Sequence, residues 1–117
     1  MRLSLLFVFA ISAILFGCYY DNEEELYPKA PLPASLKVTY ESHIKNIMNT
    51  SCALSGCHIS GGGQIDLSNF SNTLLIADNG KLEDRVILQR NMPPSGPLSS
   101  DDQNLIKRWL ETGKLEK

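Results

Sequence analysis

Within "TSCALSGCHISGGG", residues 50 to 63, two thiols and an imidazole fall inside seven positions: Cys52, Cys57 and His58. Thiolates and imidazoles bind transition metals, and paired thiols cross-link, so the cluster admits three chemistries. A structural zinc site takes four ligands, usually as two separated pairs. Here the cluster offers three, the only other histidine is His43, and no second cysteine pair follows. A disulfide between Cys52 and Cys57 is the second chemistry. An oxidising compartment permits it and the loop is short enough to close, but it leaves His58 without a task. The third is covalent attachment of haem. Two thiols add across the porphyrin vinyl groups, and the residue after the second cysteine is held beneath the iron, where its imidazole can ligate with little freedom left to lose. The usual spacing for this places two residues between the thiols; here four, Ala53 to Gly56, separate them. The extra residues must loop outward, which Ser55 and Gly56 tolerate.

A second signal bears on the choice. Low-spin haem electron carriers commonly take a methionine sulfur as the ligand opposite the histidine. "QRNMPPSGPLS" supplies Met92, followed by Pro93 and Pro94. Proline restricts its own dihedrals and those of the residue before it, so this stretch would hold a weak thioether ligand at low entropic cost. Alone, Met92 reads as a loop residue packed on the core; together with Cys57 and His58 it reads as the distal ligand. His43 is a rival sixth ligand, Met48 belongs to a core stripe, and Arg85 and Arg90 read equally as partners of haem propionates or as solvated charges. No general base, nucleophile or phosphate loop is evident, and Asp101 and Asp102 read as helix-start acids. The chain is not expected to be an enzyme.

The elements that must position these residues are helical. In "VTYESHIKNIMNTS", Tyr40, Ile44, Ile47 and Met48 recur on one stripe, with Thr39 as N-cap and Ser42 and Lys45 facing out. "SNFSNTLLIADNG" spaces Phe70, Leu74 and Leu75 for a short helix ending near Gly80, and "KLEDRVILQ" repeats the pattern with Leu82, Val86 and Ile87. In "SSDDQNLIKRWLETG" the expectation is a capping box of Ser100 with Gln103, Asp101 and Asp102 at the positive end of the dipole, an apolar stripe of Leu105, Ile106, Trp109 and Leu110, and Gly113 past the C-terminus. No segment alternates as a strand, so the fold class is all-α.

The start of the 117-residue chain reads differently. Arg2 precedes "LSLLFVFAISAILF", residues 3 to 16, a positively charged lead-in and an apolar run too short for a permanent span of about 20 residues. The run ends in "LFGC", Leu15 to Cys18, which resembles the lipobox of bacterial lipoproteins; the resemblance implies cleavage before Cys18 and lipid on its thiol. That assignment also accounts for an odd cysteine count, leaving Cys52 and Cys57 as the pair. Residues 1–17 are then a signal peptide, and residues 18–35 a tether with an acidic run, Glu23 to Glu25, and Pro28, Pro31 and Pro33. The acidic run is a solvated linker or, by resemblance, a sorting signal toward the outer membrane. The net charge of −2 carries no footprint for nucleic acid.

From about Val38 to Gly113 the chain resembles the small single-haem c-type cytochrome domains of bacterial lipoproteins with the longer cysteine spacing, and the expected domain is residues 36–117. The resemblance rests on "VTYESHIKNIMNTSCALSGCH", "IDLSNF", "NMPPSGPLS" and "LIKRWLETG", in that order. It implies a class I cytochrome c-like helical domain wrapped around one covalent haem c, thioether bonds at Cys52 and Cys57, and iron ligands at His58 and Met92. It also implies crossing first and last helices, with Tyr40, Ile44, Ile47, Leu105 and Trp109 in contact. The glycines at 61 to 63 are expected to let the chain turn away from the haem edge. The expected function is one-electron transfer between a redox donor and acceptor, with the membrane as the partner of the lipid and the cell envelope as the location, on the periplasmic or the exterior side. A haem-based small-ligand sensor and a non-haem, disulfide-bonded interaction module are the alternatives. Burial of a few hundred Å² of porphyrin at roughly 25 cal/mol per Å² is on the order of 10 kcal/mol gross, so the haem-free chain is expected to be poorly folded.

Overall fold

The computed structural model describes residues 31–117; Cys18, the expected signal peptide and most of the expected tether lie outside them. The described residues are helical, with no strand among them, in agreement with an all-α chain. None of their helices is long and apolar enough to cross a membrane.

Helix α1 covers residues 40–52 as one continuous rod built from Tyr40–Ile44, Lys45–Ile47 and Met48–Cys52. Thr39 caps it, its side chain accepting from the Ser42 N–H at 3.3 Å. Both ends of the rod are wound wide, with bonds such as Ala53 N–H to Met48 O at 2.7 Å spanning five residues. The expected stripe of Tyr40, Ile44, Ile47 and Met48 is buried, while Lys45 turns outward to Glu41 at 3.0 Å.

Helix α2, Phe70–Asp78, starts at Asn69, whose side chain accepts from Asn72 N–H at 3.0 Å, and stops before Gly80. Its inward stripe differs from the expected one. Thr73 and Ala77 are buried, whereas Leu75 stands 55 % exposed. Two small residues face the core because Tyr40 and Phe70 already fill that space, their rings 5.2 Å apart. Helix α3 covers residues 81–88, wide-wound over Glu83–Leu88, with Leu82 and Val86 buried.

Helix α4, Ser100–Glu111, departs from expectation at its start. The cap is Ser99 rather than Ser100: Ser99 is extended, and its Oγ accepts from Asp102 N–H at 3.2 Å and donates to Asp102 Oδ2 at 2.8 Å. Gln103 reaches back instead to the Leu98 carbonyl, at 2.7 Å. Ser99 thus caps the helix through its hydroxyl, which is held by the Asp102 carboxylate, one residue ahead of the expected Ser100. The other end follows the expected pattern. Gly113 takes a left-handed φ of 96°, and Lys114 N–H closes a six-residue loop onto Trp109 O at 3.0 Å.

Helix α4 packs on the start of α1 and on α3. Trp109 is fully buried beside Tyr40, at 6.4 Å between rings, and its Nε1 donates to Leu115 O at 2.9 Å. The same carbonyl accepts from Tyr40 N–H at 2.8 Å, so the chain's last residues cover an unsatisfied donor at the α1 N-terminus. At the other end, the Arg108 guanidinium donates to the carbonyls of Leu32, Pro33 and Ala34, each at 3.4 Å. Removing the Ser99 hydroxyl leaves an α4 donor unsatisfied, so Ser99→Ala should lower unfolding free energy by about 1 kcal/mol, read as a lower urea midpoint at unchanged m-value.

Candidate functional site

Helix α1 ends at Cys52, so that thiol is fixed by the helix while Cys57 and His58 ride on the loop behind it. The loop folds back through Cys57 N–H to Leu54 O at 2.9 Å and His58 N–H to Cys52 O at 3.1 Å. Of the four intervening residues Ala53 is buried, while Leu54, Ser55 and Gly56 bulge outward, with Gly56 at a left-handed φ of 77°.

His58 is held from two directions. Its carbonyl accepts from Leu67 N–H at 2.9 Å. Its ring Nδ1 lies 3.1 Å from Ile65 O; a carbonyl only accepts, so Nδ1 carries the proton and donates. In the neutral ring Nε2 then carries the lone pair, the arrangement in which a ligand histidine is oriented by its other nitrogen. The Ile65 strand of chain is itself anchored at Asp66. The Asp66 carboxylate accepts from the Ser68 N–H and hydroxyl at 2.9 and 2.6 Å, which holds it below the usual carboxylate range, and its carbonyl accepts from Asn72 Nδ2 at 2.8 Å.

The glycines at 61 to 63 make the return from His58 to Ile65. Gly61 and Gly63 have left-handed φ of 80° and 79°, and Gly62 passes so close to the Cys57 carbonyl that a Cβ there would overlap it. The close approach to the Cys57 backbone thus requires glycine at 62, and the left-handed φ favours it at 61 and 63.

Met92 arrives from the opposite end of the sequence. Its loop hangs from the end of α3, where Arg85 O accepts from both Asn91 N–H at 3.1 Å and Met92 N–H at 3.3 Å. The Met92–Pro93 peptide is cis, and Gly96 N–H to Pro93 O at 3.1 Å closes the turn beyond it.

These segments meet around one cavity of about 880 Å³, whose lining includes Cys52, Cys57, His58 and Met92. That volume is toward the top of the range of about 300–1,000 Å³ found for small-molecule and cofactor pockets. Most of the remaining wall is apolar: Leu54, Ile65, Leu67, Leu75, Ile76, Leu82 and Val86. The half-exposed Leu75, out of place as a core residue, is a cavity wall. Cys52 and Cys57 are unbridged. Burial pushes the Cys52 thiol up to about 11, with the neighbouring Cys57 adding to it, so Cys52 is protonated at neutral pH. His43 is not part of the wall; its Nδ1 accepts from Thr39 N–H at 3.4 Å, at the start of α1. Among the described residues no three His, Cys, Asp or Glu side chains converge as ligands of a single ion.

The donor set fits a haem with two thioether links and two axial ligands. An apolar cavity holds both thiols, an imidazole with its distal nitrogen fixed, and a thioether from a separate loop. Sequence reading missed the Ile65 carbonyl and the Arg85 carbonyl, because backbone acceptors have no residue signature. It also missed the wall from α2 and α3, whose apolar residues read as ordinary core.

Gly62→Ala should force the loop off the Cys57 carbonyl and cost about 1–3 kcal/mol, measured as a fall in thermal midpoint of the purified protein. No family model, curated protein or solved structure matches the chain.

Proposed function

We propose that residues 36–117 form a class I cytochrome c-like domain around one covalent haem, and that the protein carries single electrons between redox partners at a bacterial cell-envelope membrane. One observation carries this reading. Cys52, Cys57, His58 and Met92, brought from two distant stretches of sequence, line the same apolar cavity, and the His58 ring is already oriented by Ile65 O.

A bound haem supplies one-electron exchange between ferrous and ferric iron. The chain's residues then have distinct tasks. Cys52 and Cys57 would hold the porphyrin by thioether bonds. His58 would offer Nε2 to the iron, made more basic by the bond from Nδ1 to Ile65 O. Met92 would offer a weak sulfur donor, which would favour the ferrous state relative to a second imidazole. The apolar lining would disfavour the more highly charged ferric centre and act in the same direction. Held by His58 and Met92, the iron would exchange electrons without bonding a substrate, the behaviour of a carrier. Lipid on Cys18 and the proline-rich stretch behind it would hold the domain at the outer membrane, facing the periplasm or the exterior.

The intact mass of the mature chain is expected to show loss of residues 1–17 with lipid and one haem added, and a pyridine haemochrome spectrum should report two saturated vinyl groups. A chain without added haem mass overturns the haem reading and leaves a lipid-tethered helical module. Carbon monoxide should leave the reduced protein's spectrum unchanged over minutes and bind rapidly to Met92→Ala; rapid binding to the wild type would instead identify a ligand sensor. The Cys52→Ala, Cys57→Ala double variant should lack a cooperative circular-dichroism melt, and a native-like melt would show that the cofactor is not part of the core.

A further inference from the structure

The cavity wall is uneven in charge. No Asp or Glu lines it, and its cations are Lys81 and Arg85, both from α3 and one helical turn apart. They therefore stand on one wall, while the two thiols come from the end of α1 and the loop after it. A porphyrin carries its vinyl groups on one edge and its two propionates on the other. Fixing the vinyl edge at Cys52 and Cys57 sends two carboxylates to a different part of the same wall.

The Arg85 guanidinium is held ready rather than used up. Its Nε lies 3.5 Å from Asp84 Oδ2, and its Nη1 lies 3.5 Å from Gln89 Oε1. Gln89 in turn donates to both Asp84 oxygens, at 2.9 and 2.8 Å. This small frame fixes the plane of the guanidinium and leaves Nη2 outside those contacts. Both Arg85 and Asp84 side chains are about half exposed, so their own pairing is weak. A carboxylate at the apolar mouth of the cavity would be a stronger partner. Lys81 has no ion pair among the described residues, and its backbone N–H is fixed by Asn79 Oδ1 at 3.1 Å.

We propose that Lys81 and Arg85 are the receiving groups for the two haem propionates, which rests on the haem reading above. Arg85 then has two roles at once. Its side chain takes a carboxylate, while its carbonyl holds the Met92 loop through the Asn91 and Met92 N–H groups. The propionate edge and the distal ligand are thereby tied to the same residue, and loosening one loosens the other.

The test uses the mature haem-loaded protein and the variants Lys81→Gln, Arg85→Gln and the double, with Lys107→Gln, an exposed cation on α4 outside the cavity, as control. Resonance Raman bands for propionate bending should shift in the α3 variants and stay fixed in the control. The midpoint potential should fall in each α3 variant and furthest in the double, because removing positive charge near the iron favours the ferric state. Arg85→Lys should keep most of the wild-type potential, so if Arg85→Gln fails to accumulate haem while Arg85→Lys does, the charge requirement stands. A haem-loaded double variant with wild-type propionate bands and potential overturns the proposal while leaving the haem reading intact. Wild-type protein with no haemochrome signal overturns both.

Discussion

Trp109 is the side chain on which the rest of the body leans. Its ring is fully buried against Tyr40, its Nε1 reaches Leu115 O, and its own carbonyl receives Lys114 N–H. One residue thus joins α4 to α1, terminates α4 and steers the last residues back over the α1 N-terminus. Aromatic pairs of this kind add about 0.5–1.5 kcal/mol beyond the area they bury, but the geometric consequence is larger. With α4 locked on the first turns of α1, the far end of α1 is held in place, and Cys52 sits at that end.

The chain divides its apolar side chains between two jobs. Trp109, Tyr40, Ile44, Met48 and Ile106 close on one another without residual exposure. Leu75 and Ile76 instead face the cavity from α2, and Leu82 and Val86 of α3 serve both, buried in the core and lining the cavity. A helical body of this size has little apolar area to spare, so a cavity of about 880 Å³ takes a large share of it out of the closed core. Met92, 38 % exposed, and the two thiols line that same cavity.

Electrostatics and hydrogen bonding then decide how that wall can work. His58 depends on the Ile65 carbonyl, Ile65 depends on the turn anchored at Asp66, and that turn leads into the cap of α2 at Asn69. The imidazole is therefore oriented by a chain of local bonds running through the glycine loop and not by packing alone. On the other side, the wide winding of α3 leaves the Arg85 carbonyl to receive the Met92 loop. The two parts of the lining are built by unrelated devices, a glycine return and a wide-wound helix end.

Much of this was legible in the residues. The α1 stripe, the Thr39 cap, the helical class and the Gly113 stop follow from periodicity and side-chain chemistry, which act over a few residues. So does the short list of chemistry-bearing groups, since so few thiols and imidazoles occur in the chain. The cap of α4 lies one serine earlier than expected, at the hydroxyl that the Asp102 carboxylate also holds. Leu75 changed from core to cavity wall because the side a helix buries depends on what Tyr40 and Phe70 already fill, a fact about distant neighbours. The sequence by itself determined which side chains could hold a metal-bearing guest and which segments would coil. Only the tertiary structure decided that Met92 lines one cavity with His58 and that backbone carbonyls of Ile65 and Arg85 hold the two in place, because carbonyls are alike at every residue and their partners are set by how the chain returns on itself.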